Sequence, residues 1–179
     1  SQIVQAEAKK FFIESTRLRK WRTSGILWWN LLDGWPQFSD AVVDYYFGKK
    51  LAYQYIRRSQ RPVAVIIGEA GTEKYLPVVV SNDTLNPAAI SYRVWDAASQ
   101  ETVAEGDFEA PANQNWQVAR VRTYASSQRL YLMTWTVDGA VHGNHYLAGT
   151  PPFSLDQYSA WLSGIAALPP SFDADAVAR

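Results

Sequence analysis

Cysteine is absent from this 179-residue sequence, methionine occurs once and histidine twice. Without thiols there are no disulfides and no thiolate metal sites. The two histidines, His142 and His145, flank Gly143-Asn144, and two imidazoles alone do not make a metal site; a hairpin turn is the plainer reading. Net charge is lacking too. Seventeen basic residues balance seventeen acidic ones, so no field gathers phosphate backbones or anionic lipid, and nucleic acid is not an expected partner. No apolar run reaches the roughly eighteen residues of a membrane span, and no basic-apolar leader opens the chain. There is no phosphate-cradling glycine loop and no internal repeat, and no cofactor or metal is predicted. The compartment is left open, a periplasmic or secreted setting ranking ahead of the cytoplasm. What is present is apolar and aromatic: 47% hydrophobic residues and 14% aromatic ones, enough for one or two globular units with real cores.

Between Gln2 and about Arg22, Val4, Ala8, Phe11, Phe12, Ser15 and Leu18 recur near the 3.6 period and predict an amphipathic helix with those residues inward. Glu7 and Glu14, seven apart among lysines, read as its solvated face. Thr23-Ser24-Gly25 ends it. Ile26 to Leu32 is a continuous apolar run, the pattern of a strand buried on both faces. Asp33-Gly34-Trp35-Pro36 marks a turn, Ala41 to Phe47 a short extended or irregular stretch, and Lys49 to Arg58 a second helix with Leu51, Ala52 and Tyr55 inward. Such an α-β-α order leaves its strand without neighbours, so residues 1–60 read as an incomplete unit whose missing part lies upstream.

The character changes at Gln60-Arg61-Pro62. Val63–Ile67, Tyr75–Val80, Ile90–Trp95, Thr102–Phe108, Trp116–Val121, Leu130–Val137 and His142–Leu147 are rich in β-branched and aromatic residues. They are separated by turn chemistry such as Ser81-Asn82-Asp83 and Asp138-Gly139. Seven such runs predict an immunoglobulin-like β-sandwich over residues 61–149. In residues 150–179, Ser154-Leu155-Asp156-Gln157 is a capping-box pattern before a stripe of Leu155, Tyr158, Leu162 and Ile165, which predicts a short helix. Leu168 onward, with Asp173 and Asp175, reads as a frayed tail. Asn82-Asp83-Thr84 is a formal glycosylation triplet in an ordinary turn. Trp95 and Trp116 are read as core rather than as a sugar platform.

The densest feature is Gly25 to Tyr46. Gly25, Trp29, Leu31, Asp33, Trp35, Pro36, Ser39, Asp44, Tyr45 and Tyr46 match in register the last barrel strand and loop of family 2 glycoside hydrolases, especially their β-mannosidase-like members, which this segment resembles. Asn144 to Leu147 followed by Pro151-Pro152-Phe153 resembles the end of the sandwich domain in that family. Leu32, Asn30 and Asp40 depart from the usual Asn, Gln and Trp. The resemblance implies a mainly β fragment: the last α-β-α segment of a (β/α)₈ barrel, then the sandwich. It also implies a retaining exo-β-glycosidase as parent.

In such a barrel the active site lies at the C-terminal ends of the strands, where Trp29 to Pro36 would fall. An indole can stack on the C–H face of a pyranose while polar side chains bind its hydroxyls. The expected substrate-binding residues are therefore Trp29, Asn30, Asp33 and Trp35. Trp28 points the other way, into the core, and Asp44, Tyr45 and Tyr46 seat the second helix. Asp33 has a second reading as the residue that closes its turn. Retaining hydrolysis needs two carboxyl groups about 5–5.5 Å apart. The resemblance places both on earlier strands, so no catalytic residue is expected here. The expected partners are a β-linked oligosaccharide or glycoside and the upstream part of the same polypeptide. The alternative is a non-catalytic sandwich module that binds carbohydrate or protein.

Overall fold

A computed structural model of the chain describes residues 1–72, 74–122 and 128–173. Two compact units are formed, one from Ser1–Arg61 with Phe172 and Asp173, the other from Pro62–Ser171.

In the first unit, α1 spans Gln2–Leu18 and α2 spans Leu51–Ser59. Both helices form where periodicity predicts them, but α1 presents the opposite face. Ala6, Lys10, Ile13 and Glu14 are its buried residues, whereas Val4 is 66% exposed and Phe11 and Phe12 are 47% exposed. The stripe expected inward faces out, and Glu14, expected in solvent, is buried. The reason lies in what Lys10 and Glu14 meet. Lys10 Nζ lies 2.6 Å from Glu14 Oε2, and Ser59 Oγ of α2 donates to Glu14 Oε1 at 3.3 Å. A buried charge persists only when it is paired and hydrogen-bonded, and both conditions are met.

Ile26 to Leu32 forms no regular strand. A strand buried on both faces needs neighbours on its edges and layers above and below. Among the described residues the backbone pairing here is Val42 N donating to Asn30 O, Val43 N to Leu31 O and Asp33 N to Val43 O, at 2.9–3.3 Å. The helix α2 buries Leu51, Ala52 and Tyr55 as predicted. The segment expected to fray packs instead, as far as it is described. Phe172 lies 5.7 Å from the Tyr55 ring and 4.1 Å from the Arg58 guanidinium. Asp173 Oδ2 accepts from Lys49 Nζ and Gln54 Nε2 at 3.0 and 3.2 Å. An aromatic ring and a carboxylate thus find apolar and cationic partners on α2 and just before its start. Burial pulls the pKa of Arg58 down to about 9, so it stays charged at neutral pH. Asp175 lies outside the described residues.

The second unit contains β1 (Val63–Ile67), β2 (Tyr75–Asn82), β3 (Ala88–Asp96), β4 (Thr102–Ala110), β5 (Gln114–Arg122), β6 (Arg129–Val137), β7 (Ala140–Ala148) and α3 (Leu155–Ala167). Each strand overlaps a predicted run. They form two antiparallel sheets, ordered β1-β2-β5 and β4-β3-β6-β7. Alternation in β3 buries Ile90, Tyr92 and Val94 and exposes Ala89, Ser91 and Arg93, as a half-buried strand requires. Trp135 of β6, 1% exposed, donates its indole N–H to Val63 O of β1 at 3.1 Å and so ties one sheet to the other. Asn82 is buried, not a surface acceptor: its Nδ2 donates to Asn86 O and Ala110 O, at 2.8 and 3.3 Å.

His142 and His145 do not flank a turn but lie within β7. The turn is Asp138-Gly139, with φ of 49° and 74°, the left-handed pair that a tight two-residue hairpin demands. At the start of α3, Ser154 Oγ accepts from Gln157 N at 3.3 Å, while Ser154 N donates to Gln128 Oε1 at 3.2 Å. Gln128 thus supplies the return half of the capping box expected from Gln157. Tyr158 and Ile165 are buried, but Leu155 is 62% exposed, so the apolar stripe starts a turn later than predicted.

The chain after α3 crosses β7 closely. A Cβ on Gly143 would lie 2.7 Å from Leu168 Cβ and 3.1 Å from Pro169 O. Gly143→Ala should therefore overpack this crossing and destabilise the second unit by about 1–3 kcal/mol. Denaturant unfolding will check it, and unchanged stability would show that the crossing has slack.

Candidate functional site

The segment from Gly25 to Lys50 is positioned from its base upward. Backbone bonds hold Asn30, Leu31 and Asp33 beside Val42 and Val43, and Lys50 N donates to Val42 O at 2.9 Å. Between these anchors the chain makes a loop closed by the Asp33 side chain. Asp33 Oδ1 accepts from Ser39 Oγ and, at 3.3 Å, from Gln37 Nε2, and Oδ2 lies 3.2 Å from Lys50 Nζ. Ser39 Oγ in turn accepts from Ala41 N at 3.0 Å, and Lys50 Nζ donates to Ser39 O at 3.4 Å. Asp33 is only 2% exposed. Its carboxyl is thus engaged in closing the loop, the second of the two roles read for it from sequence.

The other candidates lie differently. Trp29 is 76% and Trp35 64% exposed. Asn30 is half-buried, and its Oδ1 is covered without a hydrogen-bond partner, an acceptor left open. The Trp29–Asn30 peptide bond is cis. Trp28 is half-buried with Lys9 Nζ 4.8 Å from its ring centroid, and the same ammonium donates to Trp29 O at 3.0 Å. Tyr45 and Tyr46 do not seat α2; they are 44% and 75% exposed and meet edge to face at 5.3 Å. Asp44 instead closes its own turn, Oδ1 accepting from Tyr46 N and Gly48 N at 2.9 and 2.8 Å, as Asp commonly does.

Sequence reasoning missed Lys50 and Ser39 as partners of Asp33. It also missed a cleft of about 550 Å³ lined by Gln2, Gln5, Gln37, Phe38, Asp40 and Lys50 among others. Amides on a helix carry no periodic signal, and only the fold brings Gln2 and Gln5 opposite the loop. Trp29, Asn30, Asp33 and Trp35 do not line this cleft. In the second unit, Trp95 is half-buried under Arg93, 5.2 Å from its ring, whereas Trp116 is 52% exposed, not core. Trp116 belongs to β5, an edge strand, and stacks on Phe108 at 6.2 Å. Among the described residues no three His, Asp or Glu side chains gather to hold a metal, and no helix is long and apolar enough to cross a membrane.

No family model matches the chain. The proteins it resembles in sequence and in structure are glycoside hydrolases, and the resemblance read from Gly25 to Tyr46 stands. More particularly, the curated relatives and one of the solved structures are β-mannosidases. β-Mannosidase B of Aspergillus niger is 32% identical over 113 residues, 61% of this chain and 13% of that protein. The Aspergillus terreus β-mannosidase B is 39% identical over 69 residues, 36% of this chain and 8% of that protein. The crystal structure of a β-D-mannosidase from Dictyoglomus thermophilum matches with a TM-score of 0.66 and 28% identity over 82% of this chain and 19% of that one. An exo-chitosanase of Amycolatopsis orientalis shares the fold, with a TM-score of 0.61 and 18% identity over 84% of this chain and 19% of that one. The chain thus spans less than a fifth of the length of these relatives.

The Ser39 hydroxyl holds the Asp33 carboxyl below the ordinary carboxylate range; burial works against it, and Lys50 and Gln37 add to the lowering. The folded pKa lies below the unfolded one, so this contribution is complete above about pH 4 and is lost as pH falls through the depressed folded value. Asp33→Asn should be less stable than the parent sequence near neutral pH, and the gap should close in acid. Urea unfolding at several pH values between neutrality and about 2 will check it; a gap independent of pH would contradict the assignment.

Proposed function

We propose that this chain is the C-terminal part of a retaining exo-β-glycosidase of family 2. Residues 1–60 are the last segment of its (β/α)₈ barrel, residues 61–149 an immunoglobulin-like sandwich that buttresses it, and residues 150–179 a closing helix and tail. The observation that carries this reading is the apolar surface of the first unit. Val4, Phe11, Phe12, Leu27, Trp29, Leu31 and Trp35 are 47–98% exposed, far more than isolated surface apolar residues account for. The upstream part of the same polypeptide is the proposed cover. The β-mannosidases that the chain resembles, of which it spans so small a share, support that partner.

In this reading the chain lends the pocket its wall and lacks the reacting groups. Glu7 and Glu14 lie on α1, and Glu14 is committed to Lys10 and Ser59. No pair of carboxyls here is proposed as nucleophile and acid/base. Trp29 and Trp35 offer rings to the sugar, Asn30 lies beside them with its Oδ1 covered, and Asp33 holds the loop. The substrate is a β-linked glycoside, bound through ring stacking and hydroxyl contacts. The sandwich as a free-standing glycan-binding module is the second reading, favoured by the half-exposed Trp116 on its Phe108 base. Oligosaccharide binding to the isolated chain that disappears in Trp116→Ala would support it.

The chain purified alone should not hydrolyse aryl β-glycosides. Turnover that survives repurification and exceeds a heat-killed control would overturn that expectation. In the full-length parent, Trp29→Ala should remove stacking that favours the flattened ring of the transition state. A loss of about 2–4 kcal/mol corresponds to about a thirty- to thousand-fold fall in kcat/KM. Trp28→Ala should instead cost folding stability, about 3–5 kcal/mol if the barrel buries that ring fully. Kinetics and thermal unfolding of both variants separate the roles, and wild-type kcat/KM in Trp29→Ala would remove Trp29 from the pocket.

A further inference from the structure

The loop between Asp33 and Ala41 presents two large rings with little of their own to hold them. Trp35 is 64% exposed and Phe38 fully so. What gives the loop a shape is its polar interior: Ser39 Oγ and Gln37 Nε2 on Asp33 Oδ1, Lys50 Nζ on Asp33 Oδ2 and on Ser39 O, and Ala41 N on Ser39 Oγ. Lys50 stands at the N-cap position of α2 and keeps a side chain only 15% exposed, against 1% for Asp33. A shielded, hydrogen-bonded ion pair is directional in a way that a solvated surface pair is not. The lysine therefore links the rigid start of a helix to both ends of the loop's polar core.

We propose that Lys50, acting through Asp33, is the positioning residue that sets the ring-bearing loop, and so governs how tightly substrate is held without touching it. The inference rests on the glycosidase reading for its effect on substrate. Its effect on the loop stands apart from that reading. Removing the ammonium leaves Asp33 with hydroxyl and amide donors alone and frees Ser39 O from the helix. The rings should then sample other positions, which weakens binding of ground state and transition state alike.

Two measurements test this on Lys50→Met and Lys50→Arg. In the chain itself, amide hydrogen exchange of Ala41, buried and bonded to Ser39 Oγ, followed by NMR, should quicken about tenfold or more in Lys50→Met. It should return towards the parent rate in Lys50→Arg, which keeps the charge and the donors. Exchange unchanged in Lys50→Met, in a protein whose other amides match the parent's, overturns the brace. In the full-length enzyme, Lys50→Met should raise KM about tenfold with kcat within about threefold, and Lys50→Arg should recover most of the loss. A quickened loop with unaltered KM overturns the link to substrate. A parent enzyme with no glycosidase activity would sink the functional reading instead, and the exchange data would still decide the brace.

Discussion

A helix packed against one neighbour can cover only one of its faces, and α1 gives that face to an ion pair. Lys10 and Glu14, both under 5% exposed, are taken from water at a cost that their mutual approach and the Ser59 hydroxyl help to offset. Everything else about the first unit follows from that choice. With the charged face turned to α2, Val4, Phe11 and Phe12 are turned outward, and the apolar run from Ile26 to Leu32 has no second layer to lie under. Burying the phenylalanines instead would leave the pair solvated and α1 with an ordinary amphipathic orientation. With the pair inside, the outer apolar face stays open, which is what supports the proposed cover by more of the polypeptide.

The second unit was far more legible than the first, for a reason that can be named. In β3 the alternation of Ile90, Tyr92 and Val94 with Ser91 and Arg93 needs no knowledge of what lies across the sheet, because a period of two assigns faces by itself. In α1 the periodicity gave the helix, but it assigned the wrong face, because the rule that apolar residues point inward does not foresee a buried ion pair such as Lys10–Glu14. Phe172 and Asp173 were hidden for another reason. Their partners Tyr55, Arg58, Lys49 and Gln54 lie more than a hundred positions away, and nothing local marks a tail that returns to a helix.

The candidate site was legible in its aromatic content and illegible in its polar wiring. Trp29 and Trp35 stand out in any sequence, and both are exposed. Asp33 stands out equally, yet its oxygens are spent on Ser39, Gln37 and Lys50. A carboxylate beside a Trp-Pro turn looks the same in sequence whether it faces a ligand or its own loop, and only the position of Lys50, seventeen residues on, distinguishes the two.

The same device recurs along the chain. Asp44 closes the turn at Tyr46 and Gly48; Asp96 receives Ala98 N and Ser99 N and holds Arg129 at 2.8 Å. Short acidic side chains are used here as internal staples, Asp44 and Asp96 satisfying backbone donors that a turn would otherwise leave open and Asp33 gathering side-chain donors. On the proposed reading the exposed rings of Trp29 and Trp35 are therefore what this segment offers a sugar. Stacking fixes the plane of a pyranose but says little about which hydroxyl points where. Discrimination among sugars needs directional polar partners as well. In the proposed assembly those partners, like the two reacting carboxyls, belong to the part of the polypeptide that covers α1. This chain would then help set how firmly a sugar ring is held, and the remainder would set which sugar is cut.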